Sequence, residues 1–142
     1  MPLIELDMMI AFVNASDHLH RVAVELFRKI AAGELRDGAI PTSAYIEYEL
    51  LLKSRGYDRR AIEGDIEAFR RLPNLGEVHL SSDIILEASK LRADYSLTYF
   101  DSLHAASALL YDGMIISVDE AYRRVEGLRV LDPCILINRP SE

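Results

Sequence analysis

The stretch FDSLHAASALLYDGMIISVD, Phe100 to Asp119, decides the fold. An aspartate, Asp101, stands second in it and another, Asp119, ends it. Its first half carries the small residues Ala105, Ala106 and Ala108 at helical spacing, and Asp112-Gly113 then marks a turn. The segment 114–118, MIISV, is apolar on both faces, the pattern of a strand buried from both sides in a parallel sheet. Small side chains would let the preceding helix lie close against that sheet. A carboxylate thus heads one buried element and another ends the next.

Working outward, the same alternation recurs. Residues 3–6, LIEL, suit a short first strand, followed by a helical turn or two over 8–14. Ser16 or Asp17 can cap a helix in which Leu19, Val22, Ala23, Leu26, Phe27 and Ile30 keep helical spacing up to Gly33. AIPTS is a brief strand, with Thr42 and Ser43 as caps for a helix over 44–55 closed by Gly56. A further helix runs from Asp58 to about Leu72 and stops at Pro73. EVHL, 77–80, suits a strand, and Ser81 or Ser82 caps a helix to about Tyr95. A helix over 99–111, the strand 114–118, a short helix over 120–125 and a strand over 128–131 complete the pattern.

Strands of four or five apolar residues alternating with helices predict a single three-layer α/β/α domain with a central, mostly parallel sheet. We place it at residues 1–133, with 134–142 as a C-terminal tail. The 142 residues are enough to bury a real core, and half of them are hydrophobic. The lone Cys134 allows no internal disulfide. The opening MPLIELDMMIAFVNASD has acids in place of a basic leader, and no apolar run approaches the ~18 residues of a membrane span. A cytoplasmic protein is expected. The net charge of −7 argues against binding nucleic acid through a broadly basic surface, although basic pairs such as Arg123 with Arg124 remain.

In a parallel sheet, ligands bind beyond the C-terminal ends of the strands. Asp7 follows the first strand, Asp119 follows MIISV, Asp101 opens the helix before that strand, and Glu49 lies in the helix after AIPTS. Each has a structural explanation. Asp7 can cap the helix after it, and Thr98 with Asp101 fits a loose capping box. Ser117 with Glu120 fits another box, leaving Asp119 as a first-turn acid. Glu49 can pair with Lys53. Together, however, the four fall where one sheet edge would collect them. Two carboxylates ~4 Å apart repel by roughly 4 kcal/mol at an effective dielectric of about 20, and a hard divalent cation with oxygen ligands relieves this.

The order of these segments resembles the PIN-domain ribonucleases, and within them the VapC-like toxins. The resemblance is carried by IELDMMIAFVNASDHLH, PTSAYIEYELLL, LRADYSLTYFDSLHAASALLYDG and MIISVDEAYRRVEGLRVLDP. The family pattern is an aspartate ending strand one, Ser plus six residues to a Glu-Leu, Asp-x-x-His-Ala-Ala, and a strand ending Thr-x-Asp. Carried over by position, its metal-binding and catalytic acids fall on Asp7, Glu49, Asp101 and Asp119. Glu47 is a rival to Glu49: two residues apart on a helix they point opposite ways, and the six-residue step from Ser43 selects Glu49. Ser117 stands where the family often has Thr, keeping the hydroxyl.

The resemblance implies hydrolysis of RNA phosphodiester bonds with Mg²⁺, for which Mn²⁺ can substitute. It implies a homodimer and a small antitoxin partner that covers the acidic cleft. Ser117, Arg123 and Arg124 are candidates for contacts to substrate. His104, one turn from Asp101, is expected to be a satisfied interior histidine within reach of that acid. His18 and His20, at i, i+2, aim apart and suit packing or solvent rather than a metal. A catalytically inert PIN-like binding module and a housekeeping RNA-processing nuclease are the alternatives within the fold. A phosphoacceptor receiver domain is the alternative outside it; it would want an acid pair after strand one and a central strand ending in Asp.

Overall fold

A computed structural model describes residues 2–35 and 37–138. The elements are β1 (Leu3–Ile4), α1 (Leu6–Val13), α2 (His20–Ala31), β2 (Gly38–Pro41), α3 (Thr42–Ser54), α4 (Arg59–Arg71), β3 (Leu75–Val78), α5 (Ser82–Tyr95), α6 (Tyr99–Leu109), β4 (Met114–Ile116), a 3₁₀ helix (Glu120–Arg124), β5 (Arg129–Leu131) and α7 (Pro133–Leu136). The five strands form one sheet in the order β3-β2-β1-β4-β5, and every pairing is parallel. β1 is central, flanked by β2 and β4, so the order of a receiver domain, with β3 beside β1, is not adopted.

Alternation along the strands divides the core in two. Leu3 and Ile115 face one side, with Ile84, Ala88, Leu91 and the alanines of α6. Their neighbours Ile4 and Ile116 face the other, with Met8, Met9, Phe27, Ile30, Tyr48 and Phe69 from α1 to α4. Successive residues of a strand point to opposite faces, so strands buried from both sides must be apolar throughout. Gly38 marks a close approach: a Cβ there would come within 2.9 Å of the Ile4 side chain and 3.1 Å of Ile30.

Several local expectations shift. β1 stops at Ile4, because Glu5 turns out of the strand and caps α1, its carboxylate accepting the Asp7 N–H at 3.1 Å. Asp7 therefore sits in the first turn of α1 rather than at the end of a strand. The third strand lies two residues earlier than expected. Asn74 adopts a left-handed turn (φ 63°) immediately before it, and the side-chain amide holds the carbonyls of Ile30 and Ala31. At the C-terminus, Asp132 caps the helical turn of α7, and Leu136 and Ile137 pack on the core. Residues 139–142 of the expected tail lie outside the described residues.

The other boundaries follow their signals. Ser81 caps α5 through Ile84 N–H, and Thr98 caps α6 through Asp101 N–H, each at 3.3 Å. Gly113, at φ 72°, lets the chain turn from α6 into β4.

Candidate metal centre

The C-terminal ends of β1, β2 and β4 and the N-terminus of α6 meet at one edge of the sheet. β1 leads directly into Glu5 and Asp7, and β4 into Ser117 and Asp119. Oδ2 of Asp7 accepts hydrogen bonds from the Ser117 hydroxyl and the Val118 N–H, both at 2.9 Å. Its Oδ1 is buried and has no hydrogen-bond donor. Ser117, fully buried, also lies 3.4 Å from Glu5 Oε2 and accepts the Asp119 N–H at 3.0 Å. One hydroxyl thus ties the end of β4 to the two acids after β1.

Glu5, 5% exposed, is an acid that sequence reasoning did not place in the site. Burial, reinforced by the charge of Asp7, pushes its carboxyl well above the usual carboxylate range. Asp7 is also raised by burial, but Val118 N–H and the Ser117 hydroxyl pull it back. Both are raised, and the fixed donors aimed at Asp7 favour its charged form.

Asp101 lies in the first turn of α6. Burial raises its carboxyl and the charge of Asp119 adds to this, while the Thr98 and Tyr122 hydroxyls oppose it. The Tyr122 hydroxyl donates to Asp101 Oδ1 at 3.2 Å. Asp119 is exposed and caps the 3₁₀ helix, accepting the Ala121 N–H at 2.9 Å. Its own first-turn role therefore differs from the Ser117-Glu120 box, since Ser117 receives the Asp119 N–H instead.

The helix acid at this edge is Glu47. It accepts a 2.7 Å hydrogen bond from Nε2 of fully buried His104, whose Nδ1 is 2.8 Å from the Ser43 hydroxyl. A carboxylate only accepts, so Nε2 carries a hydrogen, and in the neutral ring Nδ1 accepts from Ser43. Glu49 points to the other side of α3, 45% exposed and 3.8 Å from Lys53. The structure places Glu47, the rival, beside His104 at this edge and Glu49, the acid expected in the site, on the outer side of α3. Ser43 and Glu47 are one helical turn apart and meet the same histidine, so the i, i+4 step was the informative one. The six-residue step from Ser43 lands on the outer face.

His104 is the satisfied interior histidine expected, with Ser43 and Glu47 as its hydrogen-bond partners in place of Asp101. Ligand atoms of Glu5, Glu47 and His104 lie within 4.8 Å of one another, close enough to hold a metal ion. This trio shares no member with Asp7, Glu49, Asp101 and Asp119, the acids expected from the sequence; of the three only Glu47 was weighed there, as the rival to Glu49. Both ring nitrogens of His104 are already engaged, so an ion taking Nε2 would have to displace Glu47, and the carboxylates are the better ligands.

Among the described residues, no lysine or arginine pairs with Glu5, Asp7, Asp101 or Asp119. A buried acceptor without a donor, inside a set of acids without a fixed cation, needs either a proton shared with Glu5 or a bound cation. The donors are hard oxygens, which fits a divalent cation.

The basic and hydroxyl candidates separate. Ser117, expected as a substrate contact, is fully buried with its hydroxyl engaged by Asp7, Glu5 and the Asp119 N–H. Arg123 and Arg124 are exposed, with Arg123 Nε 3.2 Å from Glu120. His18 is solvent-exposed beside Asp17, and His20 Nδ1 bonds the Ala11 carbonyl at 2.8 Å, so neither is near the acids.

The PIN domain family profile matches residues 8–128, and the chain belongs to the PIN domain family. No curated protein matches it. Several solved structures share its fold. One is a toxin–antitoxin complex from Klebsiella pneumoniae, 19% identical over 94% of this chain and 98% of that one, with a TM-score of 0.62. Another is VapBC2 from Rickettsia felis bound to a DNA fragment from its promoter, 13% identical over 91% and 96%, TM-score 0.71. A third is VapC20 of Mycobacterium tuberculosis, a toxin that cleaves the sarcin–ricin loop, 17% identical over 87% and 93%, TM-score 0.66. No helix among the described residues is long and apolar enough to cross a membrane.

Proposed function

We propose that this protein is a divalent-metal-dependent endoribonuclease, the toxin of a toxin–antitoxin pair. The observation that carries the reading is the donorless, buried Oδ1 of Asp7, in a carboxylate cluster with which no lysine or arginine among the described residues pairs at Glu5, Asp7, Asp101 or Asp119. Membership of the PIN domain family and the VapC-like folds it resembles support the assignment to RNA and to a toxin.

Asp7, Asp101, Asp119 and Glu47 would hold Mg²⁺, with Mn²⁺ as a substitute. Such an ion, when bound, supplies charge neutralisation at a phosphodiester and lowers the pKa of water. The chain does the rest. Ser117 and the Val118 N–H fix Asp7, and the Ser43–His104 pair fixes Glu47. The exposed Arg123 and Arg124 would meet phosphates of the RNA backbone. A homodimer, a small antitoxin over the acidic edge and a cytoplasmic location complete the proposal.

The test is incubation of purified protein with a mixed-sequence RNA pool and Mn²⁺, against an EDTA control. We expect cleavage with the ion and none with the chelator, and a melting temperature that rises with Mg²⁺ or Mn²⁺. Flat melting curves across a metal titration, together with intact RNA, would overturn the reading.

A further inference from the structure

The ring of Tyr122 is fully buried on the α5/α6 side of the sheet, packed with the apolar residues there. For that packing a phenylalanine would suffice. Its hydroxyl, however, ends among the acids. It donates to Asp101 Oδ1, and the charges of Glu5, Asp101 and Asp119 all bear on it. A phenolic hydroxyl has one hydrogen to give, and here it is given to the acid that α6 brings to the edge of the sheet.

The neighbouring acids are held in the same manner by other donors: Asp7 by Ser117 and Val118, Asp119 by Ala121, and Glu47 by His104. Tyr122 supplies the corresponding donor for Asp101 from across the fold, 21 residues away in the chain. The Thr98 hydroxyl also bears on this carboxylate, but from the cap of the same helix; Tyr122 is the donor that reaches Asp101 from outside α6.

We propose that Tyr122 is a positioning residue of the metal centre, its buried hydroxyl holding the Asp101 carboxylate in the orientation an ion requires. The inference rests on the reading of the acids as an ion site. A donor to a ligating carboxylate is typically worth ~10–100-fold in metal affinity.

The experiment is isothermal titration of Mn²⁺ into the metal-free protein, comparing wild type, Tyr122→Phe, Asp101→Asn and the double variant. Tyr48→Phe, the same chemical change at a distant aspartate, serves as control. We expect Tyr122→Phe to bind Mn²⁺ about tenfold or more weakly, Tyr48→Phe to bind as wild type does, and the effect of Tyr122→Phe to vanish in the Asp101→Asn background. With saturating Mn²⁺, kcat for RNA should fall while KM holds. Wild-type affinity in Tyr122→Phe would overturn the proposal and leave the ion site standing. An equal loss in the Asp101→Asn background would also overturn it, since Tyr122 would then act through packing. No Mn²⁺ binding by the wild type would remove the ion-site reading and the proposal with it.

Discussion

Two tyrosines donate a hydroxyl to an aspartate from opposite faces of one sheet. Tyr48 reaches Asp65 Oδ2 at 2.6 Å, and Tyr122 reaches Asp101 Oδ1 at 3.2 Å. Around Tyr48 the surroundings are aromatic: its ring meets Phe69 edge-on at 6.1 Å, and Phe69 sits 5.5 Å from both Phe12 and Phe27. Around Tyr122 the hydroxyl meets Asp101, and the charges of Glu5, Asp101 and Asp119 bear on it. In the first region a hydrogen bond closes off an apolar cluster that stabilises the fold. In the second, like charges are gathered at a cost in stability, and fixed donors set where they point. The same pair of residue types therefore serves stability in one place and, on our reading, function in the other.

The comparison breaks most sharply at the acids themselves. Asp7→Asn or Asp101→Asn should reduce RNA cleavage by at least about 10⁴-fold, or ~5.5 kcal/mol at ~1.4 kcal/mol per decade. The metal-free melting temperature should hold or rise, because a repelled charge has gone. Retained activity in either variant would remove that residue from the mechanism. Phe69→Ala should do the reverse, costing about 3–5 kcal/mol in urea unfolding, with Mn²⁺ affinity unchanged in the folded fraction. Glu47→Gln should weaken Mn²⁺ binding at least about tenfold, roughly 1.4 kcal/mol. Glu49→Gln should lose only the few tenths of a kcal/mol of an exposed pair. Calorimetry giving the opposite order would return the helix acid to Glu49.

A pH series sharpens the contrast. Glu5, Asp7 and Asp101 have carboxyls raised by burial, so the folded protein holds their protons more tightly than the unfolded chain does. Their contribution is complete below the unfolded carboxylate range and is lost as pH rises through the folded values. Each unit of displacement is worth about 1.4 kcal/mol. In EDTA, melting temperature should fall as pH climbs through that window; Glu5→Gln should flatten the slope and Mn²⁺ should offset it. A slope unaltered in Glu5→Gln would exclude Glu5 as the proton holder. A smaller effect than that of Phe69→Ala is expected from Tyr48→Phe, which removes one hydrogen bond worth about 1 kcal/mol, read by urea unfolding.

Much of this was legible without coordinates. MIISV announced a strand buried from both sides, Ser81 and Thr98 announced helix starts, and Gly113 a turn; each is a local rule acting within a few residues. Asp7, Asp101 and Asp119 were visible because they stand at element ends, where a parallel sheet collects ligands. Glu5 was missed because a short apolar run beginning at Leu3 hides the point where strand gives way to helix cap. Glu47 was passed over because motif spacing was weighed above the face that Ser43 defines.

The chain alone determined which segments alternate and which of their ends carry acids, since periodicity and capping are properties of neighbouring residues. It did not determine which donor meets which acid. Ser117 reaches Asp7 across 110 positions and His104 reaches Glu47 across 57. Helical and strand periods state which way a side chain points from its own axis but not what the axis is packed against. Only the docking of α3, α6 and β4 around β1 decided that one glutamate enters the cluster, another faces water, and a tyrosine completes the set.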